Sequence, residues 1–299
     1  MNIKELNGYS IDKETVCIEV SGPDAENFLQ GQLSNDIMAI KDDSYQFSSY
    51  STNQGKVISL LRIIKIKNSF LLLLTADISE YFVSKLSMYI LMSKVQIKIL
   101  DNYIIYGLFG EASSKILKNN STENSLFEND SCYILNNSSQ EISSAIVIHK
   151  KEDSADMTPP RFLSSMDLLH LKINTNKLAD VIRGYLRIDM ATKEKYIPQV
   201  LNMELLDGIS YKKGCYTGQE IVARTHYLGK IKKKIFSIET ESELMNYGDM
   251  IHNKDSESVG EVVSNAKDLE TLNISLAILK LDSLDKDMYV NNHKIIKLN

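Results

Sequence analysis

The spacing of apolar residues between Thr15 and Phe109 constrains this chain most, because it alternates between strand-like and helix-like periods. Thr15–Val20 is β-branched-rich and reads as a strand, which Ser-Gly-Pro-Asp then breaks. Pro23 suits a first helical turn, and the helix it opens runs through Phe28 and Leu29 towards Leu33. Tyr45–Tyr50 reads as a strand, Asn53-Gln-Gly55 as a turn, and 57–67 and 70–75 as two strands joined at Asn68-Ser69. Ile78, Tyr81, Phe82, Leu86, Tyr89 and Ile90 form one helical stripe, followed by strand-like 95–100 and 103–109. Strands with returning helices predict α+β layer packing.

Beyond this region the pattern loosens. Residues 119–157 are rich in Asn, Ser, Glu and Asp, which predicts a loop-rich stretch, and 167–184 reads as mostly helical. From Lys230 onward short strands at 231–238, 259–264, 274–281 and 294–298 predict a small all-β module. With 299 residues, two or three modules are expected. The 34 basic and 39 acidic residues give a net charge of −5, so there is no global basic field for a nucleic-acid backbone, and no direct nucleic-acid contact is expected. Cys17, Cys132 and Cys215 are too few and scattered for a disulfide framework or zinc site, which fits a reducing compartment. The most apolar run, Phe70–Leu74, is far shorter than the ~20 residues of a membrane helix, and the first ten residues carry no apolar leader, so the expected location is the cytoplasm.

The most informative stretch is Tyr211–Lys234. Thr217-Gly-Gln-Glu220 matches a capping box, predicting a helix that starts there and ends near Gly229. Cys215 then precedes a helix N-terminus beside Lys212 and Lys213, a setting that favours thiolate. The competing reading is a buried, inert cysteine packed as a small hydrophobe.

Lys213-Gly-Cys-Tyr-Thr-Gly-Gln-Glu220 closely resembles the signature of the YgfZ family, folate-binding-type proteins related in fold to the aminomethyltransferase (T-protein) of the glycine cleavage system. Gly22–Asp36, Gln54-Gly-Lys56, Ser93–Val95, Gly107–Gly110 and Tyr196–Met203 resemble further family segments in the same order. The resemblance implies an α+β, T-protein-like folate-binding fold of three lobes with a small C-terminal β-barrel. The implied division is 1–229, with two interleaved lobes and the second at about 45–155, and 230–299 for the barrel. It also implies an auxiliary role in assembling or repairing iron–sulfur clusters, including those of radical enzymes that thiolate tRNA. Its partners would be iron–sulfur enzymes or assembly proteins. Cys215 would be the functional thiol, with Asn35, Asp36, Lys56, Gln199, Asn202, Lys213, Gly214, Tyr216, Gly218, Gln219, Glu220 and Arg224 around tetrahydrofolate or the thiol. No resident metal is implied.

Three departures bear on chemistry. Ile58-Ser59-Leu60 stands where the T-protein carries a carboxylate, and a serine cannot replace it as a base, so aminomethyl transfer is not expected. The chain has no Trp, with Thr15 and Asn176 near the positions where relatives carry one. Ile182 stands where a glutamate would pair with the pterin, leaving Gln199 and Asn202 as candidate substitutes. Among the other candidates, Lys230, Lys232, Lys233 and Lys234 read as an anion anchor or, preferably, a solvated strand edge. His226 reads as a surface histidine rather than a Cys215 partner. Asn35-Asp36 reads either as a helix-end cap or as pocket-facing.

Overall fold

In the computed structural model, which describes residues 6–117, 124–129, 131–151, 159–241, 245–264 and 273–298, the alternating pattern becomes two five-stranded sheets and a closed barrel. The first sheet is built from β2 (Thr15–Ser21), β3 (Tyr45–Ser51), β4 (Val57–Ile66), β5 (Ser69–Thr75) and β6 (Gln96–Leu100), in the order β3-β4-β5-β2-β6. The second contains β1 (Gly8–Ile11), β7 (Tyr103–Phe109), β8 (Leu126–Asn129), β9 (Cys132–Asn136) and β10 (Ser144–Lys150), in the order β1-β7-β10-β9-β8. Helices α1 (Ala25–Gln30) and α2 (Ser79–Ser87) belong to the first sheet's core, while α3 (Glu111–Leu117) and α4 (Arg161–Ser164) contribute to the second's. Helix α5 (Thr175–Arg183) packs against both the second sheet and the barrel, and α6 (Gln219–Leu228) follows the cysteine loop. The barrel closes as β11-β14-β13-β12-β15-β16, from β11 (Lys233–Thr240), β12 (Met250–Asn253), β13 (Ser258–Val262), β14 (Ile274–Lys280), β15 (Met288–Val290) and β16 (His293–Leu298).

Residues 57–64 of β4 are all buried, because its sheet is covered on both faces. Leu61, Ile63, Leu72 and Phe82 pack with α1 and α2, while Leu60, Ile64 and Leu71 join a core shared with α5 and the barrel. Arg62, the one charge in that run, pairs with Asp180 of α5. Arg187 extends the cluster, bonding Asp180 at 2.7 Å and both oxygens of Asp12 at 3.1 and 2.9 Å. Asn174 and Asn176 also donate to Asp12. This buried cluster ties together the β1–β2 connection, β4 and α5, none of which is near another in sequence.

Strand pairing puts 15–100 in one sheet and 103–150, with β1, in the other, because β2 closes onto β5 and β6. Two expectations differ from what forms. The helix expected over 167–184 begins only at Thr175, where the Asn174 side chain accepts from Lys177 N at 3.1 Å and caps it. The stretch expected to be loop-rich carries β8, β9 and β10, although 118–123, 130 and 152–158 lie outside the described residues. Among the described residues no helix is long and apolar enough to cross a membrane.

Candidate functional site

The cysteine loop begins with a buried cation. Lys213 Nζ donates to the main-chain carbonyls of Gln30, Leu33 and Asn35 at 2.6, 2.8 and 2.8 Å. Burial pulls this ammonium down to about 8, against the opposing pull of Asp36. Its three N–H groups are all taken by carbonyls, and among the described bonds none joins it to Cys215. Two residues beyond Cys215, Thr217 N donates to Gly31 O at 3.3 Å and Thr217 Oγ1 to Gln32 Oε1 at 3.1 Å. The loop is thus fastened to 30–35 on both sides of the thiol. Cys215 itself is exposed, while Cys17 and Cys132 are buried. The inert, buried reading therefore fails for Cys215.

The capping box does not form. Helix α6 starts at Gln219 after Gly218, whose φ is +85°, and no side chain caps it. Thr217 is drawn away to Gln32, and Tyr216 N donates to Gln219 Oε1 at 3.3 Å instead. Glycine is required at 218 twice over: its φ is left-handed, and a Cβ would lie 2.5 Å from Thr52 O. Gly214 has open space around it and an ordinary φ, so no such requirement applies there. Tyr216 is buried with its hydroxyl unpartnered, and burial pushes its pKa up. Glu220 and Arg224 are exposed.

Most of the other expected side chains are bonded within the fold. Asn35 is buried, with Nδ2 donating to Phe47 O and Asp207 O at 2.9 and 2.6 Å. Asp36 accepts from Met38 N and caps a 3-10 turn, Ile37–Ala39. Asp36 thus caps the start of this turn and not the end of α1, to which it is tied by Gln30 Nε2 donating to its Oδ1 at 2.9 Å. Lys56 Nζ reaches Lys195 O at 3.1 Å. Gln199, fully buried, donates to Val222 O at 2.6 Å, and Asn202 donates to Ile235 O at 3.0 Å, tying 198–202 to α6 and the barrel. Their amide nitrogens are thus committed within the fold, while Gln199 Oε1 is buried without a partner. His226 bonds Glu204 at 2.8 Å and stacks on Tyr211 at 3.8 Å. Lys233 and Lys234 pair with Lys280 and Leu279 of β14, while β16 joins β11 only at Ile238–Thr240, so the lysine end of the strand is paired on one side.

A cavity of about 520 Å³ lies elsewhere, lined by Phe47, Asn124, Ser138–Glu141, Ile182, Arg183 and Leu205–Asp207. Ile182 faces it, as the resemblance implies, but supplies no polar group. The carboxylates at its wall, Glu141 and Asp207, come from loops and not from β4, where Ser59 Oγ donates to Leu60 O at 3.2 Å. Asn124 Oδ1 and Arg183 Nε have no partner, and the Arg183 guanidinium sits 5.8 Å from the Phe47 ring centre while also donating to Ser138 O. Sequence reasoning missed this set, because its members come from four loops and helix ends; only Arg183, next to Ile182, carried a signal. Cys215 is not among the cavity's lining residues. Among the described residues no group of three His, Cys, Asp or Glu could hold a metal ion.

Comparison with known proteins decides the relationship. A tRNA-modifying protein YgfZ from Buchnera aphidicola subsp. Baizongia pistaciae is 30% identical over 282 residues, 90% of this chain and 86% of the relative. The chain belongs to the YgfZ family. A second YgfZ, from Hamiltonella defensa subsp. Acyrthosiphon pisum, is 31% identical over 73% of this chain, and the match spans just under two thirds, 66%, of that relative's length. No family profile matches the chain. Among solved structures, the glycine cleavage aminomethyltransferase T of Bartonella henselae superposes with a TM-score of 0.74 over 98% of this chain and 84% of that one, at 13% identity. The α+β, T-protein-like fold with its six-stranded barrel is therefore established, and the barrel and both sheets of this YgfZ-family chain follow that architecture.

Proposed function

We propose that this protein is a cytoplasmic auxiliary factor for assembling or repairing iron–sulfur clusters in client enzymes, including enzymes that thiolate tRNA. The observation that carries the reading is an exposed cysteine held on a loop fastened at both ends, in a chain whose relatives are named tRNA-modifying proteins. An exposed thiol on a constrained loop can attack, ligate or exchange with a group brought by another molecule, because its sulfur is reachable without unfolding. One thiolate cannot hold a cluster alone, since the usual sites use four, so the partner or a small thiol supplies the remaining ligands.

Tetrahydrofolate is the bound molecule that the fold favours, and the Ile182 cavity fits it in three respects. Its volume of about 520 Å³ suits a small-molecule site. Glu141 and Asp207 can accept from pterin N–H groups, and Asn124 Oδ1 and Arg183 Nε have bonding capacity to spare. When bound, the cofactor would supply one-carbon or redox-sensitive pterin chemistry. The chain's own residues would orient it and exclude water. An aminomethyltransferase reading is disfavoured, because Ser59 occupies the β4 position where that reaction needs a carboxylate.

The test is a Cys215→Ser variant in a strain lacking the protein. We expect normal folding and loss of rescue for iron–sulfur enzyme activity and tRNA thiolation. Full rescue would remove the thiol from the mechanism.

A further inference from the structure

The six-residue helix α1 ends with a problem that the helix cannot solve. The N–H groups of Gly31, Gln32 and Leu33 take Asn27 O, Phe28 O and Leu29 O, which leaves Gln30 O open in a last turn that contains no basic residue. A cation placed at such an end is favoured by the helix dipole and by the open carbonyls. Lys213 supplies that cation from 183 residues away, bonding Gln30 O, Leu33 O and Asn35 O, while Thr217 N takes Gly31 O between them. An ammonium has three N–H donors, so this cage uses all of them. Asp36 faces the cage from the 30–36 segment. Tyr216, whose ring centre is 5.2 Å from Nζ, faces it from the loop, where Lys212 and Cys215 are the flanking ionisable groups. At neutral pH Lys213 remains mainly cationic, since burial brings it only to about 8.

We propose that Lys213 is the positioning residue for Cys215: its ammonium closes the end of α1 and thereby fixes the loop on which the thiol is presented. Cys215 makes no described bond of its own, so its placement comes from what holds residues 213 and 217. Replacing the ammonium leaves three carbonyls without this donor, and the loop gains freedom where the thiol sits. The role concerns the thiol named in the functional reading, but it is a property of the loop and holds whether or not the protein serves iron–sulfur clusters.

A nitroxide label tests this on the whole protein. It attaches selectively, because Cys17 and Cys132 are buried. The wild type should give an immobilised spectrum. Lys213→Ala should shorten the label's rotational correlation time by roughly threefold or more, as expected when a constrained loop is freed. Propylammonium, which restores the missing stem and three N–H donors, should return the slow spectrum; tetramethylammonium, which has no N–H, should not. Lys213→Met keeps apolar bulk in the site and should be mobile without amine rescue, and it carries the test if the alanine variant does not fold. A label equally immobile in either folded variant overturns the proposal, as does suppression of mobility by tetramethylammonium to the same degree. Failure of the Cys215→Ser rescue experiment leaves the label result standing, so the two readings fall separately.

Discussion

Replacing Arg187 with methionine should be strongly destabilising. Arg187 is the shared partner of two buried carboxylates: it bonds Asp12 at 3.1 and 2.9 Å and Asp180 at 2.7 Å. Removing one member of a buried pair leaves an uncompensated charge and typically costs about 3–5 kcal/mol. Asp180 retains Arg62, so the stranded group is Asp12. Burial alone would push Asp12 up, but the Arg187 guanidinium and the bonds from Asn174 and Thr15 outweigh it and hold the carboxyl at about 2. A carboxyl depressed from 3.8 to about 2 contributes stability that is fully present above the ordinary value and is lost as pH falls through the lower one. At about 1.4 kcal/mol per pH unit, that contribution is about 2 kcal/mol. Denaturant unfolding followed by circular dichroism should show the 3–5 kcal/mol loss at neutral pH. Between pH 4 and pH 2 the wild type should lose about 2 kcal/mol that Arg187→Met has already lost. Arg187→Lys should recover little, because an ammonium cannot offer the planar fork that spans Asp12 while reaching Asp180. A loss below about 1 kcal/mol, the value of an exposed pair, or an unchanged acid profile, would refute the assignment of this cluster as the tie between the β1–β2 connection, β4 and α5.

Two further outcomes concern the site. Gly218→Ala should cost roughly 2 kcal/mol or more in thermal or denaturant unfolding, since the left-handed penalty of about 1–2 kcal/mol adds to a Cβ placed 2.5 Å from Thr52 O; a neutral result would mean that the 52–55 turn yields freely. Glu141→Gln with Asp207→Asn should weaken tetrahydrofolate binding in calorimetric titration by about tenfold or more, the worth of a charged hydrogen bond. Unchanged affinity in the double variant would place the folate outside this cavity.

Local pattern determined much of this protein. Strands 45–51, 57–66, 69–75 and 103–109 and the helix 79–87 follow from residue periodicity, because each element's buried face must recur at its own backbone period. Gly229 as the end of α6 was legible for the same local reason. The family was legible in one octapeptide. Other features depend on partners far along the chain. Thr217 and Glu220 have the spacing of a capping box, but Gln32, 185 residues from Thr217, takes the threonine hydroxyl. Lys213 reads as a neighbour for a thiol, and only the fold brings it to Gln30 O at the end of α1, 183 residues away, whose last turn has no basic residue of its own. Gln199 and Asn202 read as candidate pterin ligands, and the sequence gives no sign that their amide nitrogens bond Val222 O and Ile235 O. Asp12, Arg62, Asp180 and Arg187 are individually unremarkable in sequence, and their pairing needs the sheet, α5 and the β1–β2 connection to meet. Hydrophobic periodicity is read by every turn of backbone and so survives in the sequence. A polar side chain's role is set by whichever donor or acceptor the fold brings within 3 Å, and only the assembled chain decides that.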